Sequence, residues 1–264
     1  MASTAGTART SNFLVTAGTL MIGAQASVWD LNPASHSVGL VKNIAVMSDP
    51  TFLNLTQGVK NQLIYSLMTK NDAKITAEVY EYTAKNLTYG LSLDGTATAA
   101  QTFTTTTSAI IDGSPTPTTS VTVTSATGIA GDGTAYIMID ASGGTADDDV
   151  IVRRVASKTG SVLTVSQAIS RDVASGAAVT VVNAIDIGST TEGPFLSAKI
   201  AGKLPNGTPV AFLFPKIRIT KGFNVSFNTE QFQNMPFEIE VLDLLSTDTF
   251  YADFKGKKAS MFIP

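Results

Sequence analysis

Period-two alternation is the strongest constraint on what this chain can fold into. Ile75, Ala77 and Val79 alternate with Lys74, Thr76 and Glu78. Phe223, Val225 and Phe227 alternate with Asn224 and Ser226, and Phe237, Ile239 and Val241 with Glu238 and Glu240. Successive strand side chains point to opposite faces, so each stretch buries one face and keeps the other polar. A mainly β fold is expected, a sandwich or barrel. One stretch departs from the pattern. Over about 81–91, Tyr82, Leu87 and Leu91, with Ala84 and Tyr89 filling in, suit a single short helix that Gly90 weakens at its end.

Further strands are expected over Leu20–Trp29, Ser37–Met47, Phe195–Ala201, Pro209–Phe214 and Lys216–Thr220. Val59–Met68 alternates imperfectly, because Asn61 and Ile64 interrupt it. Asp49-Pro50 and Lys70-Asn71-Asp72 carry turn chemistry. The Thr-rich stretch 96–107 and Ser114-Pro115-Thr116-Pro117 read as a linker or extended segment. Between 120 and 183 come β-branched runs at Val121–Val123, Tyr136–Ile139, Val150–Val155, Val162–Val165 and Val179–Val182, separated by Gly-containing turns. The simplest parse is a discontinuous β domain, 1–104 and 187–264, with a small all-β module inserted at 105–186.

Composition narrows the function. At 264 residues, area scaling lets roughly 70% of the extended surface be buried, enough for a core without staples. Charged residues are 15% of the chain, well below the usual ~25%. Thr, Ser, Ala, Asn and Gly cover the surface instead, which suits an assembly-prone β protein. A net charge of -3 argues against a nucleic-acid clamp. The absence of Cys excludes disulfides, thiolate nucleophiles and Cys-ligated zinc. No apolar run approaches the ~20 residues of a membrane helix. Phe13–Ala24 with Ala24-Gln25-Ala26 imitates a signal peptide, but Arg9 is the only basic residue before it. It reads instead as an N-terminal arm entering a strand.

Catalytic constellations are weak. His36, the only histidine, sits in a polar Ala-Ser-His-Ser loop without a nucleophile elbow. Asp147-Asp148-Asp149 lacks cation-loop spacing and reads as a solvated turn. Glu238 and Glu240 share a strand face about 7 Å apart, with no sugar platform nearby. No catalytic, metal or cofactor site is assigned, and the chain is not expected to be an enzyme. Its apolar-faced strands with open edges favour self-assembly.

Two blocks resemble the tail tube proteins of long-tailed bacteriophages. The first is Val38–Asn43, then Leu55-Thr56-Gln57-Gly58, then Lys74–Leu91, where a Gln-Gly turn precedes a long hairpin and a strand runs through Glu81 into a short helix containing Asn86-Leu87. The second is Phe195–Leu242, with Lys199-Ile200, Asn206-Gly207, Gly222 and Pro236–Val241. The resemblance covers roughly half the chain and implies a tail-tube fold. It also implies hexameric rings stacked into a tube that conducts DNA during genome ejection, without sequence-specific binding and with no membrane. Implied partners are a tape-measure protein, a tail tip or baseplate and a tail terminator. The implied place is the virion tail, assembled in the host cytoplasm. Minimal tube subunits lack the insert, which favours a sheathless tail. On this reading Asn224, Ser226, Asn228, Glu238 and Glu240 face the lumen. Asp49, Pro50, Phe52, Leu55, Gln57 and Gly58 form a loop between rings, together with the arm Met1–Asn12. The alternative is a secreted β-sandwich adhesin or surface-layer subunit. A carbohydrate-binding module would need more exposed aromatics than Trp29 and the insert's Tyr136 supply.

Overall fold

A computed structural model describes residues 18–57, 61–93, 95, 103–142, 149–185, 187–188, 193–204, 206–225 and 233–263. The chain is mainly β, with 52% in strands and 8% helical, and its two antiparallel sheets include one curled half-barrel. It divides into two compact units, Met1–Thr96 with Ile187–Pro264, and Ala97–Asp186.

The discontinuous unit contains β1 (Thr19–Ala24), β2 (Val41–Gln57), β3 (Gln62–Val79), β10 (Leu196–Lys203), β11 (Pro209–Lys221), β12 (Met235–Val241) and β13 (Ser260–Phe262). They pair in the order β1-β10-β11-β12-β3-β2, with β13 added beside β11. The alternation sets the faces. Ile219, Ile239 and Ile75 lie opposite one another in register and are buried. With Phe214, Phe237 and Leu20 they belong to the core. Trp29, Phe254 and Phe262 make a smaller aromatic group, Trp29 stacking on Phe254 at 5.3 Å.

Helix α1 (Pro33–His36) is a single turn, as is α3 (Tyr251–Phe254). The predicted helix is α2 (Ala84–Gly90). Thr83 caps it, its Oγ1 accepting the Asn86 amide N–H at 3.1 Å. Buried Asn86 donates to the carbonyls of Val38 and Glu81, and the Tyr89 hydroxyl to that of Ile22 at 3.0 Å. Gly90 is the last residue of the helix, and a Cβ there would lie 3.0 Å from the backbone of Gly222, so the close approach of the two segments requires glycine.

Several expected boundaries differ. The strand from Leu20 gives way to a 3-10 turn at Gln25–Ser27, well short of Trp29. Asp49-Pro50 does not turn, and neither does Lys70-Asn71-Asp72. Both lie within the long antiparallel strands β2 and β3, Asp49 opposite Asp72 and Pro50 opposite Asn71. β2 is an edge strand, where a missing N–H is tolerated. Pro215 likewise interrupts nothing, since β11 runs through it beside an irregularity in the β10 pairing. Phe223–Val225 is not strand, although the alternation predicted one.

The second unit contains β4 (Thr104–Thr106), β5 (Thr118–Thr122), β6 (Tyr136–Asp140), β7 (Val150–Thr159), β8 (Val162–Ile169) and β9 (Ala178–Val182), ordered β4-β9-β6-β7-β8-β5. Its own core includes Val121, Ile137, Ile139, Val155 and Leu163. Thr104 pairs with Thr180 and Phe103 packs on this core, so the division falls before the Thr run rather than at 104/105.

Candidate assembly surface

The hairpin of β2 and β3 is the unusual element of the discontinuous unit. Its strands are 17 and 18 residues long. β12 covers β3 only from Ala73 to Val79. Beyond Ala73 the two strands pair with nothing but each other among the described residues, over about 30 Å at strand rise.

This distal ribbon is apolar on both faces. Residues directly opposite across an antiparallel pair share a face. Phe52 opposes Met68 on one face, while Leu53 opposes Leu67 and Leu55 opposes Tyr65 on the other. Leu53 is 64% exposed and Leu55 61%. Leu63, Ile64, Val46 and Met47 are exposed as well. Its polar cross-strand pairs are internal to the ribbon: Ser66 Oγ donates to Asn54 Oδ1 at 2.7 Å, and Ser48 Oγ to Asn71 Oδ1 at 2.8 Å. Lys70 pairs with Asp72 at 2.7 Å, and that hydrogen bond holds the Asp72 carboxyl below its usual range. An isolated two-stranded ribbon is marginal in water. Fully burying one Leu or Phe is worth about 1.5–3 kcal/mol, so a partner covering either face gains substantially.

The residues predicted to contact neighbouring rings therefore share one element, but not the predicted one. Asp49, Pro50, Phe52, Leu55 and Gln57 are exposed positions along an extended strand rather than a loop. Gly58 and the arm Met1–Asn12 lie outside the described residues. The other half of the surface, Leu63 to Met68, was missed as a contact candidate. Its signal was present: a strand-like run with apolar residues at consecutive positions cannot hide them all on one side.

The lumen candidates separate. Glu238 and Glu240 stand together on the exposed face of β12. Glu238 lies in register between Thr76 and Lys221, and Glu240 between Lys74 and Arg218. Lys221 Nζ reaches Glu238 Oε1 at 2.8 Å; this hydrogen bond and the lysine's charge hold the Glu238 carboxyl below the ordinary range. The face is thus a pattern of alternating signs rather than a negative wall. Asn224 is exposed after β11, and its carbonyl accepts the Tyr82 hydroxyl at 3.2 Å. Ser226 and Asn228 lie outside the described residues.

The remaining candidates resolve simply. His36 closes α1, its Nδ1 accepting the Asn32 amide at 3.3 Å. Asp149 is gripped at both oxygens by Arg171, at 2.6 and 2.7 Å; Asp147 and Asp148 lie outside the described residues. Among the described residues, no group of three or more His, Cys, Asp or Glu could hold a metal ion. No helix there is long and apolar enough to cross a membrane.

No protein-family model matches the chain, and no curated protein matches it either.

Proposed function

We propose that this chain is a structural subunit that polymerises through its hairpin as stacked rings, the tail tube of a bacteriophage. In this role it forms the channel for DNA passage during genome ejection. The observation that carries the reading is the free-standing ribbon with apolar side chains on both faces. Such a surface is untenable on a dispersed monomer and suits packing between copies. The edge of β2, which pairs with no other strand among the described residues, offers backbone groups to the same end. The balanced charges around Glu238 and Glu240 suit a wall that phosphates pass without being held. In the resulting virion the tape-measure protein, tail tip or baseplate and terminator are its partners. No residue is assigned a catalytic role.

Negative-stain electron microscopy of the concentrated full-length protein tests this. Rings or stacked tubes with a central channel are expected. Monodisperse monomers at every concentration, and in the presence of preformed tail tips, would overturn it.

A further inference from the structure

In the inserted module, β7 and β8 pair from Thr159 and Val162 as far as Val155 and Val165. Beyond that point they part. β7 continues beside β6, with Val150 opposite Asp140, and β8 beside β5, with Ile169 opposite Thr118. The fork between them is an open pocket of about 480 Å³, lined by Tyr136, Val152, Arg153, Arg154, Ser166 and Gln167. Arg153 spans the fork. Its Nε donates to the Gln167 carbonyl at 3.2 Å, one terminal nitrogen to that of Ala168 at 3.3 Å, and the other to that of Val152 at 2.8 Å. A guanidinium has five N–H donors, so two remain available. Arg154 lies opposite Tyr136 in register, which places both on one face. Among the described residues, the Arg154 guanidinium, the Tyr136 and Ser166 hydroxyls and the Gln167 side-chain amide have no hydrogen-bond or ion-pair partner.

Charge makes this spot an exception within its module. Ala97–Asp186 carries eight Asp against four Lys or Arg, and two of those four line the pocket. No acid lines it among the described residues. Four of the module's carboxylates are held elsewhere: Asp149 by Arg171, Asp172 by the Gly113 and Ser114 amides, and Asp132 and Asp140 by the amides of Thr134 and Ser142. Two neighbouring cations without a counter-ion repel each other, and an anion between them relieves that repulsion. The planar guanidinium fork matches two oxygens of a carboxylate or phosphate. A pocket of this volume is in the range that holds a small organic molecule. We propose that the fork binds an organic anion, a carboxylate or a phosphate ester. Its charged oxygens sit on Arg154 and the spare donors of Arg153, with Ser166 and Gln167 beside them. Its body lies against Tyr136 and Val152. The site belongs to the module alone and does not depend on the tube reading.

Saturation-transfer NMR on the full-length protein tests this, because it reads ligand binding to assembled and dispersed material alike. The probes share one ring: glucuronate carries a carboxylate, glucose 6-phosphate a phosphate, and glucose neither. At least one of the two anions should bind with a Kd of about 1 mM or tighter, and glucose about tenfold more weakly or not at all. The tighter of the two anions identifies the group that the site takes. Arg154→Gln should weaken that anion about tenfold, the worth of one charged hydrogen bond, and leave the melting temperature unchanged. Arg154→Lys should keep part of the affinity, because it retains the charge without the fork. Saturation transfer from glucose equal to that from both anions would overturn the proposal. So would an anion affinity unchanged in Arg154→Gln, or no binding of either anion at about 20 mM, well above the expected Kd.

Discussion

Lys216 is among the few charged side chains buried in the described structure, and its surroundings explain why it is tolerated. Its Nζ meets Asp248 Oδ2 at 2.9 Å and lies 4.5 Å from the centre of the Phe195 ring. Asp248 Oδ2 also accepts the Leu245 amide at 2.7 Å, so one carboxylate ties the loop after β12 to the middle of β11. The hydrogen bond from Lys216, helped by the Leu245 amide, lowers the Asp248 pKa below its ordinary 3.8 against the opposing effect of burial. A depressed folded-state pKa contributes stability that is present above the unfolded value and is lost as pH falls through the folded one. Asp248→Asn should therefore destabilise by about 2–3 kcal/mol at pH 7, by leaving the Lys216 charge buried without its partner. Urea melts at pH 7 and pH 3 check this: the gap between variant and parent should shrink at the lower pH. An equal gap at both would show that the ion pair is not responsible.

At the scale of elements, the hairpin shows how local signals mislead. Asp-Pro and Lys-Asn-Asp are favourable turn sequences, and they divided two long strands into pieces on paper. In the fold they lie opposite each other, and cross-strand pairing together with the tolerance of an edge strand for proline outweighs the local preference. The segment expected to form a loop, Asp49–Gln57, is extended strand instead. Because none of the distal ribbon's side chains belongs to a core cluster among the described residues, they can be changed at little cost to the fold. Leu53→Lys combined with Leu67→Lys puts two like charges opposite each other on one face. The melting temperature should stay within about 2 °C of the parent, since surface changes of this kind alter stability by only ~0.5 kcal/mol. Pelleting of assembled material by ultracentrifugation should fall at least tenfold. Normal pelleting would remove this face from the interface.

At the scale of the molecule, each unit has a core of its own, and the chain should unfold accordingly. Calorimetry of the full chain should resolve two transitions. Phe237→Ala, in the discontinuous unit, and Ile137→Ala, in the module, each open a cavity costing about 3 kcal/mol. Phe237→Ala should lower its transition by about 10 °C and Ile137→Ala, in the smaller module, by about 15 °C, each leaving the other transition in place. Both transitions moving together would mean that the cores are coupled. The sequence by itself determined the β class, the position of α2, the faces of β12 and of the Lys74–Val79 end of β3, and the presence of an inserted module. All of these follow from periodicities of two or 3.6 and from β-branched runs between glycines, which are local properties. Tertiary structure alone decided that the expected turns at Asp49-Pro50 and Lys70–Asp72 are strand, that the Thr run pairs as β4, and that β12 stops covering β3 at Ala73. Those outcomes rest on hydrogen bonds between residues far apart in the chain, and the energy of such pairing appears in no window of the sequence.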